Sequence, residues 1–215
     1  MNLLIMGAPG AGKGSMSNRI VNKYDVVHVS TGDMLREAIK EKTQVGLEAQ
    51  QYMDAGQLVP DSVIHNIIVE RLKKDDIKKG FLFDGYPRTY AQAVDLDEIL
   101  KQANMKIDKV INLEIDDEVI ASRITNRRVC KKCGEIYHIL NKPSKKDGIC
   151  DACGGELIQR KDDTLESLMV RLSEYHKSTE PVVKYYEKDN LVSTVSAENS
   201  REEVFADIVK VLETI

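Results

Sequence analysis

The sequence predicts an α/β fold: a parallel sheet covered by helices on both faces. Three observations point there. Short apolar runs alternate with helical stretches along the chain, the pattern of strands buried on both sides. The first run, NLLIM, opens directly into a glycine-rich loop and then a helix. One polar stretch, residues 130–159, breaks the alternation and holds all four cysteines, so it reads as an insert in the core.

Each element follows from its local pattern. After NLLIM a helix is expected from about Lys13, and DVVHV is a second short strand. TGDMLREAIK and GLEAQQYMDAG read as short helices cut by glycines. Residues 61–74 form a longer helix with Ile64, Ile67, Ile68 and Leu72 at helical spacing and Asp61 as its cap. FLFD is the third strand, residues 89–102 a helix, and KVINLEI the fourth strand. Residues 116–128 read as a helix capped by DDE. Beyond the insert, residues 165–188 form a long helix bent near Pro181. LVSTV is a fifth strand, and REEVFADIVKVLE closes the chain as a helix.

The bulk composition narrows the function. The chain has 215 residues, 42% apolar and 31% charged, with a net charge of -4. That suits one core with small inserts. Without a dominant basic block, nucleic-acid binding has little electrostatic support. The opening apolar run lacks a basic lead and is too short to span a bilayer. A cytoplasmic chain with no membrane partner is expected.

Gly7, Gly10, Gly12 and Lys13 give the pattern G-x-x-x-x-G-K between strand and helix. Such glycines let backbone N–H groups face phosphate oxygens, and the helix start adds positive potential. Lys13 would reach the terminal phosphates. The next residue is Gly14, with the hydroxyl delayed to Ser15, so direct magnesium ligation by the loop is not expected. Asp84 ends an apolar strand and Asp33 follows another. Open parallel sheets place functional groups there, and Asp84 is expected to hold magnesium through water.

The arginines say what happens to the nucleotide. Arg36 and Arg88 follow strand ends; Arg123 and Arg127, four apart, are expected on one helix face. Arg160 ends the insert and Arg171 lies in the helix after it. Transfer between two phosphorylated molecules needs such charge neutralisation and no strong general base.

The ordered stretches GAPGAGKG (7–14), STGDMLR (30–36), GQLVPD (56–61), DGYPRT (84–89), RRVC (127–130), YH (137–138), RKDD (160–163) and YY (185–186) cover essentially the whole chain. Together they resemble the adenylate kinase family in its long bacterial form, with a four-cysteine, zinc-binding lid. The resemblance implies the P-loop nucleoside monophosphate kinase fold, a five-stranded parallel sheet flanked by helices. The core would comprise 1–29, 60–126 and 161–215, the helical AMP-binding insert 30–59 and the lid 127–160. The implied reaction is ATP + AMP ⇌ 2 ADP with magnesium, under closure of both inserts. Water is thereby excluded from the transfer. The implied partners are ATP, AMP and ADP, and the implied state is a monomer.

Site roles follow by the same resemblance. Lys13, Arg88, Arg123, Arg160 and Arg171 would be catalytic. Gly10, Ala11, Gly12, Lys13, Gly14, Ser15, Arg123, Arg127 and Tyr137 would bind ATP. Thr31, Arg36, Met53, Gln57, Val59, Gly85, Arg88, Gln92, Arg160 and Arg171 would bind AMP. Asp33 and Asp84 would orient hydrated magnesium, and Asp162 and Asp163 would serve lid closure. Two departures stand out: Tyr86 where the family usually has Phe, and Ala197 where a glycine turn is usual. Alanine adopts a positive φ less cheaply than glycine. The competing readings are a related kinase with another base or triphosphate preference, and a zinc-ribbon NTPase that binds polynucleotide.

Cys130, Cys133, Cys150 and Cys153 form two C-x-x-C pairs with sixteen residues between them. This spacing suits one tetrahedral ion, zinc or, by the same chemistry, iron. Four thiolates leave no open position, so the metal would be structural. Neither pair follows a strand into a helix, which argues against thiol exchange. Five lysines in the insert favour nucleic acid only weakly, beside a single aromatic, Tyr137.

Overall fold

A computed structural model describes all residues, 1–215. Five strands form one parallel sheet: β1 (Asn2–Gly7), β2 (Val27–Ser30), β3 (Phe81–Asp84), β4 (Lys109–Glu114) and β8 (Val192–Ser196). Their order across the sheet is β2-β3-β1-β4-β8. The register pairs Ser30 and Ile5 with Asp84, Gly7 with Leu113, and Glu114 with Ser196. All five carboxyl ends therefore meet along one edge, where open parallel sheets hold ligands.

Alternate residues of β1 serve two cores, which is why the strand reads as an unbroken apolar run. Leu4 and Met6 join Phe81, Phe83 and Val110 on one face. Leu3 and Ile5 join Leu82, Ile111 and Leu113 on the other. The first face is covered by α4 (Asp61–Leu72), α5 (Tyr90–Gln102) and α8 (Glu180–Glu187). The second is covered by α1 (Lys13–Tyr24) and α9 (Arg201–Leu212). Tyr185 and Tyr186 tie α8 to α5 through Asp97, at 2.7 and 3.4 Å.

Two helices, α2 (Thr31–Lys40) and α3 (Gln44–Asp54), follow β2. The cysteine insert contains a small antiparallel sheet of β5 (Arg127–Cys130), β6 (Ile136–His138) and β7 (Leu157–Ile158), with β5 central.

Three local expectations are corrected. The N-cap of α4 is Pro60, and Asp61 is its first residue. The Asp61 carboxylate instead accepts from Thr89 Oγ1 and Gln92 Nε2, joining α4 to α5. The helix of 116–128 ends at Thr125, as α6 (Asp117–Thr125). Arg127 therefore does not share a helix face with Arg123; pairing with β6 draws it into a strand. The long helix is not continuous, and Pro181 fits the first turn of its second part, α8. It is interrupted by a π-helical segment, Tyr175–Thr179, between α7 (Leu165–Glu174) and α8. A wide turn of this kind is common at functional sites.

His176 in that segment joins three elements. Its Nε2 lies 3.0 Å from Asp117 Oδ2 of α6, and its Nδ1 lies 2.8 Å from Glu180 Oε2 of α8. Hydrogen bonds to Glu180 and then Asp117 raise its pKa above the ordinary value. The stabilisation is full below about pH 6.5, the unfolded value, and fades as pH rises through the raised folded value. His176→Gln should therefore narrow the difference from wild type in melting temperature as pH rises from about 6 to about 9. Calorimetric scans across that range measure it, and a pH-independent difference would exclude the carboxylate pair as its source.

Candidate active site

The loop after β1 wraps the start of α1. Gly7 has φ of +138°, and a Cβ there would meet the Leu113 carbonyl, so the tight exit from the sheet requires glycine. The N-cap of α1 is Gly12, with no side-chain cap and no acid in the first turn. The first amides of α1 thus remain available to an anion. Lys13 Nζ lies over the loop, donating to the carbonyls of Gly7 at 2.6 Å and Ala8 at 2.9 Å.

Above the loop lies a cleft of about 720 Å³. Ten cationic side chains line it: Lys13, Arg19, Arg36, Arg88, Arg123, Arg127, Lys142, Arg160, Arg171 and Arg201. They face five carboxylates: Asp33, Asp84, Glu174, Glu198 and Glu202. Gly10, Ala11, Gly12, Gly14, Ser15 and Tyr137 also line this cleft. A smaller cavity of about 80 Å³ adjoins it, lined by Thr31, Arg36, Met53, Gln57, Val59, Gly85, Arg88, Gln92 and Arg171, among others. Arg36, Arg88 and Arg171 border both. Arg160 borders the larger one.

The charge imbalance shows in the titration of the cations. Desolvation lowers Lys13 to about 8; Asp84 opposes this, while Arg88, Arg171 and Arg127 add to it. Arg88 and Arg160 are each lowered to about 10 by desolvation and then by neighbouring arginines. Arg171 and Arg123 are lowered mainly by desolvation, and the charge of Arg201 adds to the effect at Arg123.

Carboxylates hold part of this array in place. Arg127 makes a two-pronged pair with Asp163, which is 0% exposed. Such a buried carboxylate needs its partner. Arg171 Nη1 lies 2.9 Å from Asp162 Oδ2, and Arg36 Nη2 lies 2.5 Å from Asp33 Oδ1. Arg88 Nε donates to the Gly85 carbonyl at 2.7 Å, as does Thr31 Oγ1 at 2.9 Å. Gln92 is committed on both ends: Oε1 accepts from the Arg88 amide and Nε2 donates to Asp61, both at 2.7 Å. One N–H and one lone pair of its amide remain for a ligand.

Asp84 meets Ser17 Oγ at 3.2 Å and His28 Nε2 at 3.5 Å. Burial would raise its pKa, but His28 and Lys13 together hold it below the ordinary value, against repulsion from Asp33. Two mutually repelling carboxylates at the mouth of a phosphate loop suit a hydrated divalent cation.

Several lining residues were not legible from motifs. Arg19 and Arg201 belong to no phosphate motif; the helix phase of α1 and the turn before α9 carry them to the cleft. Ser17 is fully buried and lines neither cavity, but it bonds Asp84 from below; four residues after Lys13, it was findable as the next inward position of α1. Ala197 is not strained: the non-glycine residues with positive φ are Asp25, Lys42, Asn104 and Asn190. Its amide donates to the Glu114 carbonyl at 2.7 Å. The extra hydroxyl of Tyr86 donates to the Gln92 carbonyl at 3.3 Å.

The four cysteine sulfurs lie within 4.8 Å of one another. Cys130 and Cys153 are 3.5 Å apart, and Cys133 and Cys150 are 3.6 Å apart. A Cβ on Gly155 would come within 2.9 Å of Cys130 Sγ, so that position is bare where the sulfurs gather. Four thiolates at this spacing are geometrically consistent with a structural zinc site.

A parallel sheet with a phosphate loop, a cationic cleft and an adjoining small cavity defines a P-loop nucleoside monophosphate kinase fold. Comparison with known proteins narrows this class. A family model described as adenylate kinase matches residues 5–191. The chain is 50% identical over 212 residues to the adenylate kinase of Geobacillus sp. (strain WCH70), covering 99% of this chain and 98% of the relative. It is 48% identical over 215 residues to that of Archaeoglobus fulgidus, covering 100% and 99%. It is 46% identical over 213 residues to that of Staphylococcus epidermidis, covering 99% of each. The chain belongs to the adenylate kinase family. It is an enzyme, an ATP:AMP phosphotransferase that interconverts ATP plus AMP with two ADP. No helix is long and apolar enough to cross a membrane.

The lowered Lys13 makes a specific prediction. Near pH 8 the free site is partly deprotonated at Lys13, and an incoming phosphate would raise that pKa again. Nucleotide binding at about pH 8 should therefore take up a fraction of a proton, and affinity should fall as pH rises further. Calorimetry in buffers of different ionisation enthalpy measures the uptake. Persistence of the same uptake in Lys13→Met would assign it elsewhere.

Proposed function

We propose that ATP lies along the phosphate loop, that AMP occupies the adjoining cavity, and that the arginines between them hold the phosphoryl group in transit. The observation that carries this reading is the excess of cations over carboxylates around the loop. Nucleotide phosphates supply the missing negative charge.

In this reading the loop residues 10–15 bind the ATP phosphates through their amides, and Lys13 leaves its own carbonyls to meet them. Arg123 and Arg127 hold the ATP side, with Tyr137 in the lid strand beside them. Arg36 and Arg88 hold the AMP phosphate, and Thr31, Met53, Gln57, Val59, Gly85 and Gln92 shape its pocket. Arg88, Arg160 and Arg171 neutralise the moving group as charge shifts from donor to acceptor. The acceptor oxygen is already anionic, so no side chain need remove a proton. Asp162 and Asp163 keep Arg171 and Arg127 in position, which favours the closed lid.

Segments 30–59 and 127–160 would be the moving covers on a core of 1–29, 60–126 and 161–215. Support comes from their approach to each other and to the loop. A Cβ on Gly14 would lie 3.3 Å from Ile136 of the lid strand, and Arg160 at the lid's end feels the charges of Arg36 and Asp33. Closure of both excludes water that would otherwise accept the phosphoryl group.

The lid would hold zinc through Cys130, Cys133, Cys150 and Cys153. Asp33 and Asp84 would hold magnesium through water, and the ion would supply further charge neutralisation at the phosphates. The chain would act as a cytoplasmic monomer on free nucleotides, without a polynucleotide or membrane partner, in keeping with its net charge of -4.

Two experiments test the assignment. Arg88→Ala should lower the rate of ADP formation from ATP and AMP by about 10²–10³-fold, with an unchanged melting temperature. A near wild-type rate in a coupled assay across AMP, CMP, UMP and GMP would remove Arg88 from the transfer. Chelation of the lid metal, or Cys130→Ser, should lower the melting temperature and speed amide exchange at 127–159. Unchanged values for both would exclude a structural metal.

A further inference from the structure

Tyr137 sits in the strand that faces the nucleotide cleft, yet it is 3% exposed. Its hydroxyl lies 3.5 Å from Cys150 Sγ and accepts the Asp151 amide at 2.8 Å. We infer that Tyr137 is the outer-sphere partner of the lid metal: its hydroxyl donates to the Cys150 thiolate and ties the cluster to the nucleotide-facing strand β6. The inference rests on the reading that the four cysteines hold zinc.

The hydrogen-bond inventory supplies the direction. With one lone pair engaged by the Asp151 amide, the phenol still has its proton to place, and Cys150 Sγ is within reach. A metal-bound thiolate can only accept. Donation to it draws off charge, and outer-sphere donors of this kind hold both ligand orientation and metal.

The same ring is gripped from the cleft side. Lys142 Nζ lies 5.0 Å from the Tyr137 ring centroid. That amine is itself held by the Glu135 carboxylate and the Ile136 carbonyl. The backbone of His138 exchanges hydrogen bonds with Lys142 at 3.1 and 3.0 Å, which closes the turn that carries this lysine. Ile136, Tyr137 and His138 all line the cleft. Tyr137 is thus a positioning residue, through which the metal fixes the height of β6 over the phosphate loop.

Tyr137→Phe keeps the ring, its burial and its contact with Lys142, and removes only the hydroxyl. Both proteins are loaded with zinc, their stoichiometry measured, and release followed into an excess of a chromophoric chelator. One zinc per chain is expected in each, with release about 10–100-fold faster from the variant and faster amide exchange at 136–138. With cobalt as a probe metal, the thiolate-to-metal absorption band should shift in the variant. Equal release rates with an unshifted band would overturn the inference while leaving the metal reading intact. A metal-free variant that melts below metal-free wild type by the full difference seen in the loaded pair would also overturn it, because the hydroxyl would then serve packing alone. A wild-type chain that takes up no zinc would sink the metal reading, and this inference with it.

Discussion

The arrangement depends on one electrostatic imbalance. Ten cations and five carboxylates share the walls of one cleft, and Asp162, Asp163 and Glu135, paired with three of those cations from outside the lining, make up only part of the difference. Cations stripped of water resist charging and like charges crowded together repel; the lowered values of Lys13, Arg88 and Arg160 record desolvation first and that repulsion after it. Carboxylate contacts anchor some of these cations. Here Asp163 anchors Arg127, Asp162 anchors Arg171 and Asp33 anchors Arg36. The site is thereby held ready, and its substrates complete it. Preorganisation of this kind lets an enzyme stabilise developing charge without rearranging at the moment of reaction.

The sheet makes that concentration of charge attainable. Parallel strands in register bring the loops after β1, β2, β3 and β8 to one edge. Arginines distant in sequence then meet without long excursions of the chain. Burial of β1 on both faces gives the phosphate loop a rigid base, whereas the small lid sheet rests on few apolar residues. Its own cluster is Cys130, Tyr137 and Cys150, with Cys153 and Leu157 packed against it. A segment so poor in apolar area needs a cross-link to hold its shape. The cysteines supply its centre.

Much of this was legible in the sequence, because the signals were local. The apolar runs gave all five core strands, and the glycine pattern placed the phosphate loop between strand and helix. The cysteine spacing foretold the cluster. What was missed depended on tertiary contacts. Asp61 carries a capping residue's chemistry but spends it on Thr89 and Gln92 of another helix. Arg127 continues the helical spacing of Arg123, yet pairing with β6 draws it into a strand. Arg19 and Arg201 carry no motif, and only the packing of α1 against α9 places them at the cleft. The concern over Ala197 dissolved for a similar reason: the turn there extends the sheet by a hydrogen bond to Glu114 rather than reversing it.

The π-helical segment between α7 and α8 has a geometric consequence. A turn that holds one residue more than an α-turn advances the angular phase of everything after it by about 100°. One nearly continuous rod can then present two unrelated faces. Before the wide turn it offers Leu168 to α6 and Arg171 to the cleft. After it, Val182, Val183 and Tyr186 are turned into the core beneath the sheet. Thr179, at the end of the segment, donates to the Arg88 carbonyl at 2.9 Å. The segment works like a keyed coupling in a shaft: it transmits position along the rod while fixing the angle between a half that faces the cleft and a half that faces the core.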